Sequence, residues 1–151
     1  MKQFLFAAFV VCFFTGCEQF MSSDKLIRQP NLQFSSLSDI REYVVKNIHY
    51  KSDDGDYWQA PQETIDKGTG DCEDYCLFVG YFAQKLGYRV YLVAISYPEG
   101  CHMILELNGA YYEAQSVRPY VPRNNMAKIA RYSLENALRM SAIIYGSRYI
   151  D

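Results

Sequence analysis

What the sequence lacks narrows its chemistry before any motif is read. It has two histidines, His49 and His102, in 151 residues, so a histidine-dependent mechanism must run through one of them. Charge is scarce too: charged residues make up 21% of the chain and the formal net charge is −2. That balance excludes a protein that works by neutralising nucleic-acid phosphates, which needs a marked basic excess. No apolar run reaches the ~20 residues a helix needs to cross a bilayer. Internal repeats, low-complexity tracts and a second folded domain are also missing. Hydrophobic residues, at 50%, still supply the apolar mass for one core, and the charge is too low for a disordered chain.

Cysteine is present in an awkward number. There are five, the first within and the second directly after a segment that reads as a leader. Lys2 precedes an uninterrupted apolar run of eleven residues, 4–14, which suits the apolar stretch of a signal peptide. Phe14-Thr15-Gly16-Cys17 resembles the lipobox of bacterial lipoproteins. The expectation is a signal peptide over 1–16, lipid on Cys17, a polar tether over 17–36 and one domain over 37–151. The chain would be exported and anchored to a bacterial membrane, on its periplasmic or cell-surface side. Cys12 would leave with the leader. Cys72, Cys76 and Cys101 would remain, an odd set that cannot pair completely.

The domain reads as helix, helix, helix, antiparallel strands, then helix. Ser38 and Asp39 can cap a helix over 40–48, where Ile40, Val44 and Ile48 recur at helical spacing. The charged stretch 51–57 is a loop. Pro61 suits a first helical turn, giving a short helix Pro61–Lys67 closed by Gly68. Asp71 is an N-cap with Asp74 three residues on, and it opens a helix over 72–86 ended by Gly87. That helix carries no charge from Tyr75 to Ala83, so it is buried around most of its circumference. A strand follows over 88–97. Asn108-Gly109 then joins strands 102–107 and 110–115 in a hairpin. A last helical pattern covers 125–143. The order specifies an α+β fold, a central buried helix packed on an antiparallel sheet.

Chemistry concentrates where that helix begins. A thiol at Cys72 sits among unpaired backbone N–H groups at the positive end of the helix, which favours a thiolate. Asp71, Glu73 and Asp74 act against it, so a thiolate there needs a cationic partner. The hairpin register offers one. With Leu107 facing Ala110, His102 faces Gln115 and Ile104 faces Glu113, and all four share a sheet face. Gln115 lies across from His102 and Glu113 diagonal to it; either can orient the imidazole as a third member of a triad.

Trp58-Gln59-Ala60-Pro61-Gln62-Glu63-Thr64, followed by Gly70-Asp71-Cys72-Glu73-Asp74-Tyr75, resembles the transglutaminase-like superfamily. The likeness is greatest to its bacterial cysteine-proteinase branch and runs over about 37–117. It implies a papain-like fold and a Cys-His-Asp triad acting on amide bonds. Cys72 takes the nucleophile position and His102 the general base, while the aspartate position falls on Gln115, with Glu113 as the alternative. The implied activity is a cysteine peptidase or acyl transferase working through a thioester on Cys72. A decayed, lipid-anchored binding module on the same scaffold is the second reading. The partners expected are a protein or peptide substrate and, through lipid, a membrane; the chain is expected to be a monomer.

Other residues have plainer readings. Trp58 lines a substrate groove, assists an oxyanion site or packs in the core. Cys76 falls on the apolar helix and reads as core. Cys101, next to His102 on a strand, should point away from the site. His49 reads as solvated, and Tyr132, Tyr145 and Tyr149 as packing. Cys72, Cys76, Cys101 and His102 do not have zinc-site spacing. Asp53-Asp54-Gly55-Asp56 lacks the EF-hand ligand series and reads as a solvated loop. No metal or cofactor is expected.

Overall fold

Ten successive residues of one helix are buried, and the other elements assemble around it. The structure is a computed structural model that describes residues 30–143 except Asp54 and Asn124; the expected leader, most of the tether, Tyr145 and Tyr149 lie outside the described residues. In chain order the elements are α1 (Leu37–Asn47), β1 (His49–Tyr50), α2 (Pro61–Lys67), β2 (Thr69–Gly70) and α3 (Cys72–Lys85). They continue with β3 (Val90–Tyr97), β4 (Gly100–Leu107), β5 (Ala110–Glu113), β6 (Arg118–Pro119), β7 (Ala127–Ser133) and α4 (Leu134–Ile143).

Helix α3 is the buried one: every residue from Asp74 to Ala83 is inside. It packs on β3 and β4 on one side and against α1, α2 and α4 on the others, so no face is left for polar side chains. Phe78, Phe82 and Leu77 are among its fully buried side chains, each contributing about 1.5–3 kcal/mol by leaving water. Gly80 lets the layers close up, because an added Cβ would come within 3.1 Å of Val90 and 3.3 Å of Leu134.

The sheet has the order β6-β5-β4-β3-β7, with every neighbouring pair antiparallel. Asn108 and Gly109 turn the β4–β5 hairpin with φ of 51° and 89°, as a two-residue turn with both central φ positive requires. The pairing runs Leu107↔Ala110, Glu106↔Tyr111 and Leu105↔Tyr112. Arg131 of β7 reaches across β3 to Glu106 of β4 with two hydrogen bonds of 2.8 Å, clasping three strands. Met103, Leu105 and Leu107 join the core around α3, whereas Ile104 packs with Val93 and Ile95 in a smaller cluster on the opposite face.

The final segment corrects the helix expected over 125–143. Residues Ala127–Ser133 form a strand against β3, and only Leu134–Ile143 is helical. Lys128, Ala130 and Arg131 permit a helix locally, and no Gly or Pro interrupts the segment. Pairing with the central strand overrides that propensity. Ser133 marks the change, its hydroxyl accepting the N–H of Asn136 at 3.3 Å. Two short parallel strands, β1 and β2, form a strap with His49↔Thr69 and Tyr50↔Gly70. Within the stretch expected as tether, Leu32 and Phe34 pack on the core, and Phe34 meets Phe82 edge-on at 4.8 Å. No helix among the described residues is long and apolar enough to cross a membrane.

Candidate active site

The start of α3 is built on a carboxylate that must be sheltered. Asp74 is fully buried and accepts the backbone N–H of Gln59 at 2.7 Å, the Gln59 side-chain amide and the N–H of Asp71 at 3.1 Å. Those bonds fix the loop carrying Trp58 and Gln59 to the first turn of the helix. Gly70 is required for the same reason. A Cβ there would stand 2.7 Å from Asp74 Cβ and 2.9 Å from its Oδ2, closer than real atoms approach. Burial lifts the Asp74 carboxyl to about 7, a rise that its hydrogen bonds only moderate.

Cys72 is the first residue of α3, as expected, and is half-buried. Its thiol donates to Glu73 Oε2 at 2.9 Å. Burial, then the Glu73 hydrogen bond and charge, push the thiol up to about 12, while a hydrogen bond from the Met103 backbone pulls the other way. The competition between helix end and acidic neighbours thus resolves, in this arrangement, in favour of the protonated thiol. Burial also raises the Glu73 carboxyl to about 7.

His102 stands on β4, paired with Ile95. Its Nε2 lies 2.9 Å from Glu113 Oε2. Facing a carboxylate that accepts, a neutral imidazole would carry its proton on Nε2 and leave Nδ1 as the basic nitrogen. The contact falls to Glu113 and not to Gln115. The expected register holds through Leu105↔Tyr112, but β5 ends at Glu113 and residues 114–117 turn. Gln115 therefore never reaches a ladder position opposite His102. Its backbone N–H instead approaches Glu113 Oε1 at 3.5 Å, and the longer glutamate spans the diagonal.

Cys72, Glu73 and His102 line one cleft of about 400 Å³ with Trp58, Cys101 and Tyr132. Trp58 is 4% exposed and meets Tyr132 edge-on at 5.8 Å. Its indole N–H donates to Asp56 Oδ1 at 2.9 Å, so in this arrangement that donor is committed and is not offered to an oxyanion. Cys101 is exposed and borders the cleft, contrary to the expectation that it points away. Pairing with β3 stays regular through Tyr97↔Gly100, so Cys101 shares with Met103 the face that packs on α3, and both line the cleft. Cys76 is fully buried in the core, and desolvation pushes its thiol far up. His49 is exposed on β1.

One arrangement was not legible from spacing. Asp53, Asp71 and Asp74 each offer an oxygen within 4.8 Å of the others. Burial, then the charge of Asp71, raise the Asp53 carboxyl. Asp53 Oδ2, Asp71 Oδ1 and Gln59 Oε1 are buried with no hydrogen-bond partner. Buried carboxylates this close repel one another, and a hard cation with oxygen ligands would satisfy both charge and orphan acceptors. The signal in the sequence is the density of aspartate over 53–56 and 71–74, segments that the β1–β2 strap brings together.

A sequence profile described as a transglutaminase-like domain matches residues 22–138. No curated protein matches the chain. Among solved structures, LapG of Legionella pneumophila, EGTA-treated, superposes with a TM-score of 0.54 at 17% identity, covering 64% of this chain and 61% of that one. A second LapG structure gives 0.52 at 18%, over 64% and 62%. Calcium-bound LapG gives 0.51 at 16%, over 68% and 76%. The chain thus spans about three-fifths of the length of the first two LapG chains, and the likeness is one of fold. With the profile match running through the helix that bears Cys72 and the hairpin that bears His102, the chain belongs to the transglutaminase-like family.

Proposed function

We propose that the domain is a cysteine-dependent amide hydrolase, a peptidase acting through a thioester on Cys72. The observation that carries the reading is the shared cleft of Cys72 and His102, with His102 held through Nε2 on Glu113 so that Nδ1 is its basic nitrogen. Nδ1 takes the thiol proton, and the sulfur attacks the substrate carbonyl carbon, forming a C–S bond. Backbone N–H groups of the first turn of α3 receive the developing oxyanion. The imidazolium passes its proton to the leaving amine as the C–N bond breaks. Water then adds to the thioester, losing a proton to Nδ1, and the C–S bond breaks to release the carboxylic acid. An amine in place of water would make the same site an acyl transferase. Glu113 stabilises the imidazolium by charge, which a glutamine at that place would not do.

In the resting arrangement the thiol is held by Glu73, and this one contact favours the second reading, a decayed binding module. Alkylation with iodoacetamide at pH 8 separates the two. The hydrolase reading expects Cys72 to be labelled well ahead of Cys101 and Cys76, with the advantage lost in His102→Ala. Equal slow labelling of all three thiols would overturn it.

Asp53, Asp71 and Asp74 fit a divalent cation such as calcium, with Gln59 Oε1 as a neutral acceptor beside them. Such an ion would neutralise the carboxylates that brace the helix start. Cys17 lipidation, with export and tethering to a bacterial membrane, completes the proposal. Mass spectrometry of the N-terminal peptide tests it: a diacylglyceryl adduct on Cys17 is expected, and an intact Met1 terminus sinks it.

A further inference from the structure

The substrate can be narrowed by the charge of the cleft, an inference that rests on the hydrolase reading above. Asp56 and Glu73 both line it, and among the described residues no lysine or arginine does. His102 adds no net positive charge, because Glu113 is bonded to it 2.9 Å away. The pair is neutral when the imidazole is protonated and negative when it is not. The cleft is thus negative in either state of the histidine, without counting the carboxylates assigned to a divalent ion. Lys51 and Lys67 line a separate depression with Asp53 and Gln59.

Asp56 is also held in place. Its Oδ1 accepts from the Trp58 indole at 2.9 Å, and Trp58 is itself 4% exposed and locked edge-on against Tyr132. The anion is therefore preorganised beside an aromatic wall completed by Ala94 and Met103. An apolar, aromatic wall with a fixed carboxylate at its rim matches a side chain with an aliphatic stem and a cationic head. An acidic side chain would meet like charge there, which discriminates against it.

We infer that the acyl donor is a peptide carrying a lysine or arginine beside the scissile amide, its aliphatic stem along Trp58 and Tyr132 and its charge against Asp56 and Glu73.

Two measurements at pH 8 and low salt, each run with calcium and with EDTA, test this. In the first, Cys72 of the Cys101→Ser chain is modified by a trimethylammonium-ethyl methanethiosulfonate and by its anionic sulfonatoethyl counterpart, each rate divided by that for free 2-mercaptoethanol. The normalised cation-to-anion ratio should exceed about tenfold, shrink in 0.5 M salt, and fall severalfold in Asp56→Asn but not in Asp56→Glu. In the second, peptides with lysine or glutamate within two residues of the cleaved bond should differ by about tenfold or more in kcat/KM. Circular dichroism confirms that each variant is folded. A ratio near one, or equal cleavage of the two peptide sets, overturns the inference while leaving the hydrolase intact. A cation-selective ratio with no turnover of any peptide does the reverse: it overturns the hydrolase and keeps the cation-accepting cleft.

Discussion

Helix α3 is two helices in chemical terms. Its body, from Tyr75 to Ala83, is uncharged and wholly buried, with the Phe78 and Phe82 rings tilted against each other at 5.0 Å. Its first turn holds Cys72, Glu73 and Asp74, three ionisable groups whose pKa values burial raises. The body stabilises; the first turn spends part of that stability to keep ionisable groups out of water. Substitutions in the two halves should therefore fail in different ways.

The largest effect expected is on turnover, from the first turn. Cys72→Ser should lower kcat/KM by roughly 10⁴ or more, while the denaturant midpoint stays put or rises. Next, Glu113→Gln should cost roughly 10²–10⁴ in kcat, since the imidazolium loses its counter-charge, whereas Gln115→Ala should stay within about tenfold of the parent. If Gln115→Ala is the more damaging in steady-state kinetics, Gln115 is the orienting residue after all.

The body answers in the opposite currency. Phe78→Ala should lower unfolding free energy by about 3–5 kcal/mol, read by chemical denaturation, with kcat per folded molecule little changed. Gly70→Ala lies between the halves: the clash with Asp74 should destabilise by about 1–3 kcal/mol and also misplace the helix start.

An effect of a different kind is with pH. Burial lifts the Asp74 carboxyl from its ordinary 3.8 to about 7, so the native state binds more protons than the unfolded chain between those values. Stability should be full below about pH 4 as far as this group is concerned, and should be lost progressively as pH rises through 7. Glu73 acts in the same direction. Asp74→Asn should flatten the midpoint-versus-pH curve over that window. An unchanged slope would mean that the carboxylate is not the source. Calcium should restore midpoint at pH 8 in the parent and not in Asp53→Asn, measured by thermal melts with and without EDTA.

Local patterns reveal much of this molecule. Pro61 and Gly68 bound α2 as read, Asp71 opens α3, and Asn108-Gly109 turns the hairpin, because each signal is a property of a few adjacent residues. The sequence was misleading where a distant partner decides. The strand Ala127–Ser133 exists through β3, and a helix-permissive segment cannot announce that. The end of β5 at Glu113 likewise depends on the turn after it, so carrying the register three pairs past Leu105↔Tyr112 puts Gln115 opposite His102, where the contact is made by Glu113, the other of the two candidates. Cys101 faces the cleft because its side of β4 is the one that packs on α3, beside Met103, and alternation alone does not say which side meets the helix. The Asp53–Asp71–Asp74 cluster needed the β1–β2 strap to bring its halves together, and no spacing rule contains that strap.

That strap has one more consequence. The N–H of His49 bonds to Gly68 O and that of Lys51 to Gly70 O, each at 2.9 Å, so the loop bearing Asp53, Asp56, Trp58 and Gln59 is stapled at its base. A backbone cut between Ser52 and Gly55 would leave one new end tied through the strap and the other through Gln59 to Asp74. The chain should survive such a nick as two associated pieces, and the same position should accept an inserted peptide with the cleft still assembled.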